Sequence, residues 1–172
     1  YLEEEGAYPE MVGMVVWGTS AMRTHGDDIA QILHLLGVRP VWQPESRRVV
    51  GIELIPLEEL GHPRIDVTVR ISGFFRDAFP NLINLMDQAV ELVASLDESP
   101  KDNMIVKHLR EDLAQETSSS DTLPAGEESR AASLYRIFGS KPGTYGAGIL
   151  PVLDERNWET VEDLAEVYTA WG

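Results

Sequence analysis

Two stretches of this chain concentrate side chains able to bind or move charge: VVWGTSAMRTHGDD (residues 15–28) and RISGFFRDAF (residues 70–79). In the first, an apolar, Val-rich run ends at Trp17, and Arg23, Thr24, His25, Asp27 and Asp28 follow within eleven residues. Arg23 offers a planar guanidinium suited to a carboxylate. His25 can transfer protons near neutral pH. Asp27 and Asp28 open an amphipathic segment, where free amides and the positive end of the helix dipole favour anions. The alternative reading is structural: Asp27 caps the helix and His25 is a surface loop residue. In the second stretch, Gly73 permits close backbone approach. Phe74 or Phe75 can stack on a flat ring, and Arg76 faces either a ligand or its neighbour Asp77. Two such turns leaving one sheet would converge on one crevice.

The elements that must position these residues follow from the spacing of apolar positions. Met11–Trp17 reads as a buried strand. GTSAMRTHG reads as a loop, and IAQILHLLG as a helix that Gly37 stops. Val38–Trp42 and Val49–Ile55 read as strands around the turn QPESRR, and PLEELG as a helical turn or two. Arg64–Ile71 alternates and is β-branched, as a strand should be. SGFFRD reads as a loop. Pro80 then starts a helix whose apolar residues recur to Leu96. Strands alternating with helices predict an α/β fold, a mainly parallel sheet flanked by helices in the Rossmann or flavodoxin manner, over residues 8–96. Residues 97–172 read as a mostly helical and loop extension. It includes a helix over 104–115, a flexible segment near 117–130, helical or mixed structure over 131–138, and a final helix that Thr160 and Asp163 begin with a capping box.

The 172 residues carry a net charge of −15, which speaks against nucleic acid as a partner. No cysteine is present, so disulfides, thiolate metal sites and cysteine nucleophiles are excluded within this chain. That composition fits a reducing, cytoplasmic setting. No apolar run approaches the roughly 18 residues of a membrane span. The chain opens on Tyr1 and stops at Gly172, and we read it as a piece of a longer protein.

Other candidate motifs carry little. His34 sits among leucines as a packing or boundary residue. No histidine pair has the H-E-x-x-H spacing, so no metal site is expected. GSKPGTYGAG is not a phosphate-binding loop, because Lys141 precedes Gly143 and no Lys-Ser/Thr pair follows. There is no G-x-G-x-x-G and no G-x-S-x-G elbow.

Three segments together resemble a known family: VVWGTSAMRTHGDDIAQILHLLGVRPVW, then LEELGHPRIDVTVRISGFFRDAFPNLINLMDQAV, then RIFGSKPGTYGAG with NWE and DLAEVYTAWG after it. They are similar to the large subunit of cobaltochelatase (CobN), in the family shared with the porphyrin-binding large subunit of magnesium chelatase. THGDDIAQ and RIFGSKPGTYGAG resemble the cobalt branch. The resemblance implies part of a ligase that forms nitrogen–metal bonds, inserting cobalt or magnesium into a corrin or porphyrin ring. It implies ATP hydrolysis on separate AAA+ subunits, no cofactor held by this fragment, the metal ion as substrate, and an isolated fragment without activity. On that reading His25, Asp27 and Asp28 are the catalytic candidates, as acceptors of pyrrole protons. Arg23 and Arg76 would hold the ring's peripheral groups, and Trp17, Phe74 and Phe75 would pack on its face. The competing reading is a non-catalytic, flavodoxin-like module that binds a nucleotide or docks a subunit through its acidic surface.

Overall fold

Valine, isoleucine and alternation dominate the strands that build the core, and the computed structural model describes residues 2–119, 127–142, 145 and 149–170. In chain order the elements begin with α1 (Leu2–Glu5), β1 (Met11–Val16), α2 (Gly18–Thr24), α3 (Asp27–Leu36), β2 (Val38–Trp42) and β3 (Val49–Leu54). Next come α4 (Leu57–Leu60), β4 (Asp66–Ile71), α5 (Gly73–Ala78), α6 (Pro80–Ala94) and α7 (Met104–Ser119). The last are α8 (Glu127–Ala132), β5 (Ile137–Gly139), α9 (Ile149–Asp154) and α10 (Val161–Ala170).

The central sheet is parallel, in the order β1-β4-β5, and so conforms to the α/β expectation. β4 is its middle strand, in register with β1 from Met11↔Asp66 to Val16↔Ile71. Val67, Val69 and Ile71 alternate into the core. There they meet Ile29, Ile32, Leu33 and Leu36 of α3 and Met86, Ala89, Val90 and Val93 of α6. Ile105 and Leu109 of α7 belong to the same core, and β5 completes the sheet. Two parts of the 97–172 stretch are therefore built into the body formed by residues 8–96.

Several local expectations need correction. β2 and β3 are not part of the parallel sheet. They form a separate antiparallel hairpin, because the turn between them is far too short for a parallel crossover. GTSAMRTHG is mostly the helix α2, and SGFFRD is mostly the helix α5. Both are too short for apolar periodicity to reveal them. Asp27 does not cap α3. Gly26 holds the cap position, Asp27 is the first helical residue, and its amide donates to the Thr24 hydroxyl at 3.3 Å. The strand expected from Arg64 begins at Asp66, and the 131–138 region divides into the end of α8 and β5. Gly37 does end α3, at φ 75°. Pro80 does start α6. Thr160 and Asp163 do cap α10 reciprocally, the Thr160 amide reaching Asp163 Oδ2 at 2.9 Å.

Candidate active site at the carboxyl edge of the sheet

Because β1 and β4 are adjacent and parallel, their outgoing connections leave the sheet side by side. One hydroxyl joins them. Ser72 Oγ accepts from the Phe75 amide at 3.1 Å, capping α5, and from the Gly18 amide at 3.3 Å. Gly18 lies against the Phe74 ring, where a Cβ would stand 2.5 Å from Cδ1. Only glycine permits that approach. Phe75, expected to face a ring, is instead fully buried and packs on Phe79 at 5.3 Å between ring centroids, so it belongs to the core. Phe74 is 41% exposed and Trp17 is 52% exposed. The two turns thus present one aromatic side chain each at a shared junction.

Arg76 is engaged by the protein itself. Its Nε donates to Asp77 Oδ1 at 2.7 Å, and its Nη1 donates to the carbonyls of Ser140 and, at 2.7 Å, Lys141. Tyr145 donates its hydroxyl to Asp77 Oδ2 at 2.7 Å. This cluster ties the third motif, GSKPGTYGAG, to the second turn. Gly143, Thr144 and residues 146–148 of that motif lie outside the described residues, as does the 120–126 part of the segment expected to be flexible. Hydrogen bonds from Arg76, then from Tyr145, hold the Asp77 carboxyl below the usual carboxylate range. The same bond to Asp77 pushes the Tyr145 phenol up.

The other candidates lie beyond the junction. His25 caps α2 in the left-handed region, at φ 59°, which is uncommon outside glycine. It lines an apolar groove of about 370 Å³ with Met22, Trp42, Phe79 and Leu85. That volume is in the range of small-molecule sites, about 300–1,000 Å³. Trp17 lines a different, smaller cavity, beside Val15, Arg70 and Tyr168. Arg23 and Asp27 are exposed and Asp28 is half-buried. The predicted residues therefore do not share one crevice. His25 lines the groove, Trp17 the smaller cavity, and Arg23, Asp27 and Asp28 line neither. Phe74 stands at the junction and Arg76 holds the neighbouring loop. Among the described residues no group of three or more His, Asp or Glu is disposed to hold a metal ion.

Residue types alone gave no warning of the groove's walls, Trp42 and Phe79, which come from a hairpin and from the start of a core helix. A second polar cluster was equally hidden. At the amino ends of the strands, Arg136 donates from Nε to Asp66 Oδ1 at 2.7 Å and from Nη2 to Oδ2 at 2.9 Å. His108 Nδ1 lies 2.8 Å from the same carboxylate. Asp66 is wholly buried. An acid at the start of the alternating, β-branched strand DVTVRI is the one available signal.

Comparison with known proteins places the whole chain. The profile of the CobN/Magnesium Chelatase family matches residues 1–172. The aerobic cobaltochelatase subunit CobN of Pseudomonas aeruginosa is 53% identical over all of this chain, which spans 14% of that protein. The chloroplastic magnesium-chelatase subunit ChlH of Oryza sativa subsp. indica is 38% identical over 97% of the chain, which spans 11% of it. Among solved structures, the catalytic subunit of cobaltochelatase from Mycobacterium tuberculosis superposes with a TM-score of 0.85 at 55% identity, covering 100% of this chain and 14% of that one. No described helix is long and apolar enough to cross a membrane. With its full length matched by the profile, and with relatives more than half identical sharing its fold, the chain belongs to the CobN/magnesium chelatase family.

Proposed function

We propose that this chain forms one wall of the tetrapyrrole site in the large subunit of a metal chelatase, a ligase that inserts cobalt or magnesium into a corrin or porphyrin ring. The observation that carries the reading is the junction of the two turns, where Ser72 Oγ joins Gly18 to Phe75 and leaves Trp17 and Phe74 exposed. The higher identity to CobN (53%) than to ChlH (38%) supports the cobalt branch.

Insertion replaces two pyrrole N–H protons with one divalent ion. The ion is substrate, and the protons need acceptors close to the ring. His25, Asp27 and Asp28 supply an imidazole and two carboxylates for that purpose. Trp17 and Phe74 pack on the macrocycle. Arg23 pairs with a peripheral carboxylate. Arg76, already bonded to Asp77 and to the 140–141 carbonyls, acts as a positioning residue that brings the third motif to the site. The energy of insertion comes from ATP hydrolysed on AAA+ partner subunits that this chain meets only as part of the larger complex.

The test uses the full-length large subunit, titrated with a cobalt-free corrinoid and with protoporphyrin. Trp17→Ala and Arg23→Ala each weaken ring binding about tenfold, equivalent to ~1.4 kcal/mol. Unchanged affinity in both variants would overturn this assignment.

A further inference from the structure

Strand order and crossover handedness put the described core helices on one face of the sheet and leave part of the other face open among the described residues. At its amino end that second face is closed by the buried Asp66–Arg136 pair and His108. The order β1-β4-β5 means that the chain steps across the sheet in a single direction. Both steps join parallel strands, and such crossovers are right-handed almost without exception. Two right-handed steps in one direction put their helices on the same face. The packing agrees, for side chains of α3, α6 and α7 share one core with Val16, Val67, Val69 and Ile71.

The opposite face carries the alternate residues. Register sets Val15, Arg70 and Phe138 in one row. Met11 is 48%, Val15 52% and Phe138 40% exposed. Tyr168 of α10 stacks on Arg70, with the guanidinium 4.0 Å from the ring centroid, and its carbonyl accepts from Arg70 Nη1 at 3.2 Å. It also lines a small cavity with Val15 and Trp17; this partial cover leaves Met11, Val15 and Phe138 exposed. Parallel sheets are as a rule covered on both faces, and an apolar patch of this kind marks an interface.

β1 is also an edge. The carbonyls of Glu10 and Val16 accept from the Asp66 and Ser72 amides. Strand periodicity therefore directs the backbone groups of the even-numbered residues to β4 and those of Met11, Gly13 and Val15 away from it. Edges meant to stay free are blunted by lysine, proline or bulges. MVGMVV contains neither residue, and its pairing with β4 is regular.

We infer that a strand of the same polypeptide, from outside residues 1–172, pairs with the free edge of β1, and that a helix joined to it covers the Met11–Val15–Phe138 face. The relatives have ample chain to supply it, since residues 1–172 span 13–14% of the cobaltochelatase subunits they match. A basic partner subunit is a poor fit, because the exposed residues Met11, Val15 and Phe138 are apolar, while the charged ones on this face are engaged: Asp66 and Arg136 are buried against each other and Arg70 is held by Tyr168. Winding on both sides of β1 makes the β1/β4 boundary a point where strand order reverses. Ligands of open α/β sheets sit at the carboxyl ends of such points, which is where Gly18 and Ser72 meet. The inference rests on the sheet and on family membership, and it is independent of which side chains hold the ring.

Two measurements on the intact large subunit test it, without any ring added. The first is hydrogen–deuterium exchange, with the amides of Met11, Gly13 and Val15 resolved by fragmentation. These amides exchange at least about 100-fold slower than those of the exposed 43–48 turn in the same chain, as paired strand amides do. Exchange as fast as the turn would overturn the inference. The second is photo-crosslinking from benzoylphenylalanine at Val15. The expected product joins Val15 to a stretch of the same polypeptide outside residues 1–172. A product with a second copy or with an ATPase subunit, or no product at all, counts against it. The exchange measurement needs no substitution, so it decides the matter even where the Val15 variant does not fold.

Discussion

The two ends of one sheet treat polar side chains in opposite ways. At the amino end Asp66, Arg136 and His108 are sealed together, and nearby the buried Arg64 binds Glu98 at 2.8 Å and the carbonyls of Gly37 and Ile55. Asn103 closes that second cluster, donating to Val93 and accepting from the Val106 amide. Among the described residues no buried side-chain nitrogen or oxygen lacks a hydrogen-bond partner. At the carboxyl end Trp17, Phe74, Arg23, His25 and Asp27 are exposed. A buried polar group must be satisfied, because leaving it unpaired costs more than the bond returns. The amino end therefore shows what structural polar residues look like in this molecule. The side chains at the carboxyl end are left available for a ligand. On the reading proposed above, the first set holds the sheet and the second meets the ring.

The sharpest test of this contrast is to break the sealed end. Arg136→Ala strands the Asp66 carboxylate in the core with only His108 beside it. Loss of one partner from a buried pair costs about 3–5 kcal/mol. Chemical denaturation followed by near-ultraviolet circular dichroism reads this directly. A loss below about 1 kcal/mol would mean that the amino end does not hold the sheet, and the contrast would fail. Gly18→Ala probes the other end with a smaller effect. The new methyl group meets Phe74, so the ring must move, at a cost of about 1–3 kcal/mol for overpacking. Ring affinity falls with it, whereas Arg136→Ala acts through stability alone. Gly18→Ala with wild-type affinity would separate the junction from the binding site.

These two ends were not equally legible. The helix stop at Gly37, the Pro80 start, the Thr160–Asp163 cap and the alternation of β4 are local signals, and each is where the spacing puts it. The two turns were also visible, since a strand followed by Gly, Ser and a basic residue is local too. What joins them is not. Ser72 reaches back 54 residues to Gly18, and Asp66 meets Arg136 across 70. β5 is three residues long and owes its place to pairing with β4 rather than to its own pattern. The tether of the third motif was half legible: Arg76–Asp77 is a neighbouring pair, but the carbonyls of Ser140 and Lys141 that share Arg76 come from another segment.

His25 sharpens the comparison at lower cost. Its left-handed backbone is strained for a side chain, by about 1–2 kcal/mol. His25→Gly removes that strain but adds freedom to the unfolded chain, for a net gain of roughly 0.5–1 kcal/mol in thermal denaturation. Metal insertion by the complete chelatase falls in the same variant. A residue whose removal stabilises the fold while lowering turnover is kept for chemistry. If stability drops instead, His25 belongs with the structural set.

The smallest effect concerns how the carboxyl end is held. Its tether, Arg76–Asp77–Tyr145, lies near the surface, unlike the buried pairs below. Asp77 has a lowered pKa in the fold, so its contribution is complete above the unfolded value of about 4 and fades as pH falls through the lower folded value. Tyr145 has a raised pKa, so its contribution is complete below about 10 and fades as pH rises through the higher folded value. The tether is thus constant from about pH 5 to 9 and loosens only as pH falls through the lowered Asp77 value or rises through the raised Tyr145 value. Ultraviolet absorbance of the phenolate, taken as the difference between the wild type and Tyr145→Phe, places the Tyr145 midpoint above that of a free phenol. Asp77→Asn returns it toward the ordinary value. A midpoint already ordinary in the wild type would show that the third motif is not held by this bond, and that the open end of the sheet is freer than its neighbours suggest.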